Sequence, residues 1–260
     1  MFKNALKEKI RAGRPALGSW IAFSDPYAVE VMINAGYDWL LIDTEHCPIG
    51  TESLRNILIA MKGTPVVPIV RLMNNHPDYF KMALDLGAAG VVVPMVESAA
   101  LARLAVEYCR YPPLGKRGCG PVRASNYFRH YDEYMAQAND ETLLAVQIET
   151  IQTLPELDLI LQVDGIDAVF VGPGDMEMSM LALPREERPP LDQVVSQIFE
   201  KARKAGIPYG TLCGTPEDFE KRAQQGATLL TVGGDLGFLM DAATDCQRRT
   251  RSLLEAVQQR

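Results

Sequence analysis

The chain contains no apolar run approaching the roughly 18 residues that a membrane-crossing helix needs. Its opening stretch, MFKNALKEKIRAG, alternates charged with apolar residues and lacks the apolar core of a secretory leader. Positive charge is also in deficit. The 26 Lys and Arg against 33 Asp and Glu leave a net charge of −7, which argues against nucleic acid as a partner. Cysteine is sparse: Cys47, Cys109, Cys119, Cys213 and Cys246 are odd in number, widely spaced and include no C-x-x-C pair. Neither a disulfide framework nor a close-spaced zinc site is expected from them. Cys47 follows His46 directly, but neighbours in sequence point apart on a strand, which disfavours a nucleophilic pair. The expectation is a soluble, cytoplasmic protein with reduced thiols that engages neither nucleic acid nor membrane.

What the chain has is regular alternation. With 47% hydrophobic and 23% charged residues it matches an ordinary globule, and its 260 residues suffice for one large α/β domain. Eight short apolar or β-branched runs recur: 17–23, 39–43, 66–71, 90–96, 143–149, 166–171, 209–213 and 229–232. Near-continuous hydrophobicity over such lengths suits parallel strands buried on both faces. Helical stretches lie between them and close at glycine, at Gly36, Gly63, Gly87, Gly206 and Gly226, as a left-handed C-terminal cap requires. Thr215-Pro216 opens the last of these in the manner of a capped helix.

Eight such units predict a (β/α)8 TIM barrel occupying residues 1–260 as a single domain. An open doubly wound sheet is the alternative, but no G-x-G-x-x-G follows the first run. Residues 1–15 read as a short amphipathic helix over the bottom of the barrel. Residues 111–140 form a long aromatic and basic insertion before the fifth strand, and insertions of that length are usually functional or flexible.

In such a barrel, chemistry gathers where the strands end. The second strand runs into Asp43-Thr44-Glu45-His46, and the third ends in Arg71. The fifth supplies Gln147 and Glu149, two apart and so on one face, while the sixth runs into Gly172-Pro173-Gly174-Asp175. Two carboxylates at adjacent strand ends could repel, share a proton, or hold a cation. Oxygen ligands without a sulfur or histidine cluster favour a hard divalent ion. An ion pair with Arg71 is the competing reading. His46 is the one histidine of three at a strand end, suited to general-base work, and Arg71 offers a fixed donor fork for an anionic oxygen. Gly172 to Asp175 could cradle a carboxylate, and Gly233-Gly234 a phosphate, although either run also reads as a tight turn.

Assembled in order, these strand ends resemble the HpcH/HpaI family of class II pyruvate aldolases. The matching stretches include LGSWIAF, AGYDWLLIDTEHCP, VPIVR, LDLGAAGVVVPMVESA, CRYPPLGKRGCGP, VQIET, GIDAVFVGPGDM and GATLLTVGGD, spread over nearly the whole chain. The resemblance implies that Glu149 and Asp175 hold a divalent metal, Mg2+ or Mn2+ with Co2+ as a further candidate. It casts His46 as the base, Arg71 as the stabiliser of developing negative charge, and Gln147, Gly174 and Asp175 as contacts to the keto acid. Asp85, in LDLG, matches a residue that raises the basicity of the histidine. The predicted helix carrying Asp85 should end at the bottom of the barrel, roughly 15 Å from the chemistry. A neighbouring subunit would resolve this, so a homo-oligomer with a shared site is expected, and the resemblance implies a trimer or hexamer. The helix from Phe238 onward is a candidate exchange element. One departure stands out: relatives commonly read Asp-Leu-Ser where this chain has Asp175-Met176-Glu177.

The expected activity is reversible aldol cleavage of a 4-hydroxy-2-keto acid to pyruvate, or a related keto acid, and an aldehyde through a metal-stabilised enolate. Arg117, Arg123 and Tyr127 of the insertion are expected to shape the acceptor pocket. A Schiff-base route is disfavoured because no lysine falls within the eight predicted strands. Alternatives are a citrate-forming condensing enzyme, an acyl-CoA lyase on a related barrel, and a non-catalytic barrel that binds a small acid.

Overall fold

Each apolar run forms a strand, and alternation within the run decides which side chains face which way. In β2 (Trp39–Asp43), Trp39 and Leu41 point into the barrel while Leu40 and Ile42 point out toward the helices, and all four are fully buried. The computed structural model describes residues 3–258. The strands β1 (Ala16–Ile21), β2, β3 (Val67–Arg71), β4 (Gly90–Val93), β5 (Leu143–Ile148), β6 (Ala168–Val171), β7 (Tyr209–Cys213) and β8 (Leu229–Gly234) pair in sequence order, all parallel. β8 returns to β1 and closes the barrel, with an irregular register between Gly18 and Trp20. The predicted (β/α)8 architecture is therefore the observed one.

Two layers of core hold it. The outer layer packs strand residues such as Leu40, Val70, Val91 and Leu144 against helix residues such as Phe80 and Ile198. The lumen is filled by Trp39, Ile69, Val92 and Phe170, and Gly18 leaves the space the Trp39 indole occupies. From below, α1 (Ala5–Arg11) inserts Leu6 and Ile10 into that lumen cluster. The predicted helical segment 1–15 is thus a plug, with residues 1 and 2 outside the described range. Lys7 seals it by binding the Thr142 carbonyl and Asp167, each at 2.9 Å.

Helices α2 (Pro26–Asn34), α3 (Thr51–Ala60), α4 (Pro77–Asp85), α5 (Ala99–Cys109), α9 (Leu191–Ala205) and α10 (Pro216–Gln224) surround the strands, with the short α7 (Leu157–Ile160) between β5 and β6. Their ends follow local chemistry. Asp25, His76, Ser98 and Thr215 cap α2, α4, α5 and α10 with side-chain acceptors, and Pro follows the cap in all but α5. The apolar run 90–96 is longer than its strand. β4 stops at Val93 because Pro94 has no N–H for the ladder and Met95 turns to a left-handed φ of 54°.

The insertion contains α6 (Tyr131–Glu141) and packs at the bottom of the barrel, opposite to the expected position. Arg123 binds the carbonyls of Leu58 (2.8 Å) and Leu86, at the C-terminal ends of α3 and α4. With Lys62 and Tyr134 it lines a cavity of about 480 Å³ against Val67 and Ala89, where β3 and β4 begin. Arg117, its side chain wholly buried, binds Asp85 at 2.7 Å. Within one chain the insertion therefore braces helix ends away from that chain's own rim, Arg123 through the carbonyls that end α3 and α4 and Arg117 through the Asp85 carboxylate.

The last helix, α11 (Asp235–Gln258), runs for 24 residues and is exposed almost throughout. Leu239, Met240, Leu253 and Val257 are each more than half exposed, as are Tyr27 and Val31 on α2. Among the described residues no helix is long and apolar enough to cross a membrane.

Candidate active site

The C-terminal ends of β2 and β3 are joined by a buried ion pair. Asp43 and Arg71 face each other across the ladder, and Arg71 donates from Nε to Oδ1 at 2.9 Å and from Nη2 to Oδ2 at 2.8 Å. This two-point contact fixes the plane of the guanidinium. The Trp20 ring lies beneath it, 4.5 Å from Cζ, and the third nitrogen, Nη1, faces Glu45 Oε2 at 3.1 Å. Asp43 also accepts the backbone N–H groups of Glu45 and His46, so one carboxylate shapes the turn that carries both. His46 projects outward, 61% exposed, with Nε2 3.9 Å from Glu45 Oε2.

Across the barrel mouth stands Glu149, directly after β5 and almost fully buried. Its Oε1 accepts from the Met95 N–H at 2.7 Å and its Oε2 from the Gln147 amide, as the shared strand face predicts. Gly172 makes room for this pair: a Cβ there would lie 2.7 Å from Glu149 Oε2 and 3.1 Å from Gln147 Nε2. After Gly172 comes α8 (Pro173–Met180), whose first turn holds Gly174 and Asp175, both exposed and with no side chain capping the helix. Glu177, the departure from the relatives' sequence, lies within α8 and is exposed.

The electrostatics are those of crowded acids. Burial raises the Glu149 carboxyl and the nearby Asp175 charge adds to it, against opposition from Gln147, Met95 and Arg71. Glu45 is pushed up to about 7 by burial, opposed by Arg71 and reinforced by Glu149, Asp43 and Asp175. Glu45 Oε2 is buried against Arg71 Nη1 in an ion pair, and Gln147 Oε1 is buried without a hydrogen-bond partner among the described residues. Three mutually repelling carboxylates with an orphaned carbonyl oxygen among them are a donor set for a hard cation. Among the described residues, no group of three or more His, Cys, Asp or Glu is preassembled around a metal position. Two carboxylates are what Mg2+ commonly takes from a protein, the rest coming from water and substrate.

Six of the seven expected site residues meet at this end: His46, Arg71, Gln147, Glu149, Gly174 and Asp175. Asp85 does not. It terminates α4 at the opposite end, bound to Arg117, one helix length of roughly 13 Å below the β3–α4 loop. Glu45 and Trp20 were not singled out beforehand. Glu45 sat in the quoted Asp-Thr-Glu-His run, and its burial was the missing information. At the end of β8, a Cβ on Gly233 would meet the Phe238 ring and one on Gly234 would meet Trp20, so both glycines serve close packing. Cys47 donates to Asp43 at 3.3 Å, and burial first, then Asp43, pushes its thiol up to about 12, which leaves it inert. All five cysteines are free. The strands contain no lysine, and Lys7, the one buried lysine among the described residues, is committed to the plug.

Residues 16–242 match the HpcH/HpaI aldolase/citrate lyase family. The chain belongs to this family. It is 39% identical over 244 residues to the 4-hydroxy-2-oxo-heptane-1,7-dioate aldolase of Klebsiella pneumoniae subsp. pneumoniae, covering 93% of this chain and 92% of that one. It is 36% identical over 242 residues to the 5-keto-4-deoxy-D-glucarate aldolase of Escherichia coli K12, covering 93% and 94%. Among solved structures, a family protein from Burkholderia cenocepacia J2315 superposes with a TM-score of 0.89 at 31% identity, covering 96% of this chain and all of that one. The citrate synthase SbnG superposes at 0.85 with 28% identity, covering 97% and 100%. This HpcH/HpaI member is thus an enzyme, a carbon–carbon lyase of the aldolase kind, in a family that depends in general on a divalent metal.

Proposed function

We propose that this enzyme reversibly cleaves a 4-hydroxy-2-keto acid into pyruvate, or a related 2-keto acid, and an aldehyde. The observation that carries the reading is the buried Glu149, held by Met95 and Gln147, facing the charge of Asp175 with Arg71 opposite. Glu149 and Asp175 would hold Mg2+, Mn2+ or Co2+. When bound, that cation withdraws electron density from the keto acid and makes its α-proton removable.

The chain's own residues supply the rest. Gln147 and the Gly174 backbone, in the open first turn of α8, bind and orient the keto acid's carboxylate. Arg71 stabilises the oxygen that gains negative charge. Its Asp43 bonds hold the guanidinium still, so little reorganisation is needed as charge develops. His46 moves the proton at its exposed Nε2, directly or through a water. Trp20 and the lumen beneath it exclude water from the inner side of the site.

Among the described residues, Glu45 is the one carboxylate within ion-pair distance of the His46 ring. We assign the role of a further partner to Asp85 of a second copy, in a cytoplasmic homo-oligomer, trimer or hexamer, whose single-domain barrels share sites. The apolar residues exposed along α11 and α2 support contact between copies.

The test is exchange of the pyruvate methyl protons in deuterated water, followed by NMR without any aldehyde. Exchange should require Mg2+ or Mn2+ and fail in Glu149→Gln. Exchange that proceeds equally in Glu149→Gln, or no exchange in the metal-loaded enzyme, overturns the reading. The likeness to citrate synthase SbnG favours one second reading, in which the same half-reaction precedes addition to a ketone. Product analysis with aldehyde and oxaloacetate acceptors separates the two.

A further inference from the structure

Met95 is the only non-glycine residue with positive φ at the catalytic end of the barrel among those described; Asn126, Tyr127 and Phe128 lie in the insertion below. An L-residue with a side chain of this size rarely adopts φ near 54°, and such outliers persist only where the surroundings enforce them. The surroundings here are explicit. Pro94 ends β4, and the loop that follows lies along the end of β5. The Met95 N–H binds Glu149 Oε1 at 2.7 Å, the Val96 N–H binds the Gln147 carbonyl at 3.3 Å, and Glu97 Oε1 accepts from Thr150 Oγ1 at 2.8 Å. Three successive residues of one loop thus grip three positions of the neighbouring strand end. Meanwhile the Met95 side chain is 47% exposed, so no core packing of the thioether accounts for the conformation.

We propose that Met95 is a positioning residue whose left-handed backbone aims its N–H at Glu149 and thereby sets the orientation of that carboxylate. An extended or right-handed residue at 95 turns the N–H away. Glu149 Oε1 then loses its one donor, and the carboxylate keeps only the Gln147 amide. The inference rests on the reading that Glu149 holds the cation. It predicts that tolerance at position 95 follows the backbone and not the side chain. Glycine and asparagine enter the left-handed region readily, whereas β-branched residues do so worst.

The test is Mn2+ affinity, read from the free-ion EPR signal, for Met95→Gly, Met95→Asn, Met95→Val and Met95→Ile beside Glu149→Gln. The Gly and Asn variants should bind within about threefold of the parent. Val and Ile should weaken binding by about 10- to 100-fold, as expected when the support of a metal ligand is lost. The reverse order, with Ile and Val retained and Gly and Asn lost, makes the side chain the determinant and overturns the proposal.

A second, metal-free readout guards against variants that fail to fold. In TROSY spectra of 15N-methionine-labelled enzyme, the Met95 amide, identified by its absence in Met95→Asn, should sit downfield and move in Glu149→Gln. An amide indifferent to Glu149→Gln also overturns the proposal. If parent and Glu149→Gln bind Mn2+ equally, the cation reading falls, and the amide shift still decides whether Met95 supports Glu149.

Discussion

The carboxylate of Asp43 accepts from two nitrogens of Arg71, two backbone N–H groups and one thiol, in a position from which water is almost excluded. Removing one partner of a buried pair leaves the other charge uncompensated, which typically costs about 3–5 kcal/mol. Asp43→Asn should therefore lower unfolding stability by that order and loosen both Arg71 and the turn bearing His46. The pH dependence has a definite sign. Burial alone would raise this carboxyl, but the bonds and charge of Arg71 outweigh it and hold the group below its usual range. Its contribution is complete above the unfolded carboxylate value of about 3.9 and is lost as pH falls through the lower folded value. Urea denaturation from pH 5 to pH 2 should show stability falling more steeply below about pH 4 in the parent than in Asp43→Asn. Parallel declines would assign the acid sensitivity to other groups.

Elements were legible in proportion to how local their causes are. Eight strands follow from eight apolar runs because burial on both faces leaves a continuous signature, and the Thr215 cap ahead of Pro216 is local chemistry. Six site residues followed from one topological fact, that parallel strands all end at the same rim. The insertion was misplaced because its arginines answer to helix ends at Leu58 and Leu86, contacts that no spacing reveals. Glu45 was passed over because the charges that act on it, Arg71 and Glu149, lie far away in sequence. The N-terminal plug was foreseen as a helix, and its anchoring makes a test at the same scale. Asn4 accepts the Lys7 N–H as the cap of α1, and its amide binds the carbonyls of Ala89 (2.8 Å) and Glu141 (2.9 Å). Asn4→Ala should destabilise the barrel by about 1–2 kcal/mol in thermal or urea unfolding. Mn2+ affinity should not change, because the plug and the proposed metal ligands, Glu149 and Asp175, lie at opposite ends of the barrel. A coupled loss of both would mean that the lumen transmits the plug's position to the rim.

At the scale of the whole molecule, one barrel leaves two features without use. His46 stands exposed above the rim, and Asp85 sits at the far end on a buried Arg117. A chain working alone has no means of joining them, whereas copies packed rim against base do. Subunit complementation tests this directly. Under the proposed shared site, His46→Asn removes the base and Asp85→Asn removes its partner, so each variant alone should be nearly inactive. When the two are co-expressed with different tags and the mixed oligomers isolated, some sites combine His46 of one chain with Asp85 of the other. Those sites are fully native, and activity should return. If Asp85→Asn is active by itself, Asp85 has no part in the chemistry. If the mixed oligomers stay as inactive as their parents, the shared site is overturned, and Glu45 is left as the partner of His46 among the described residues.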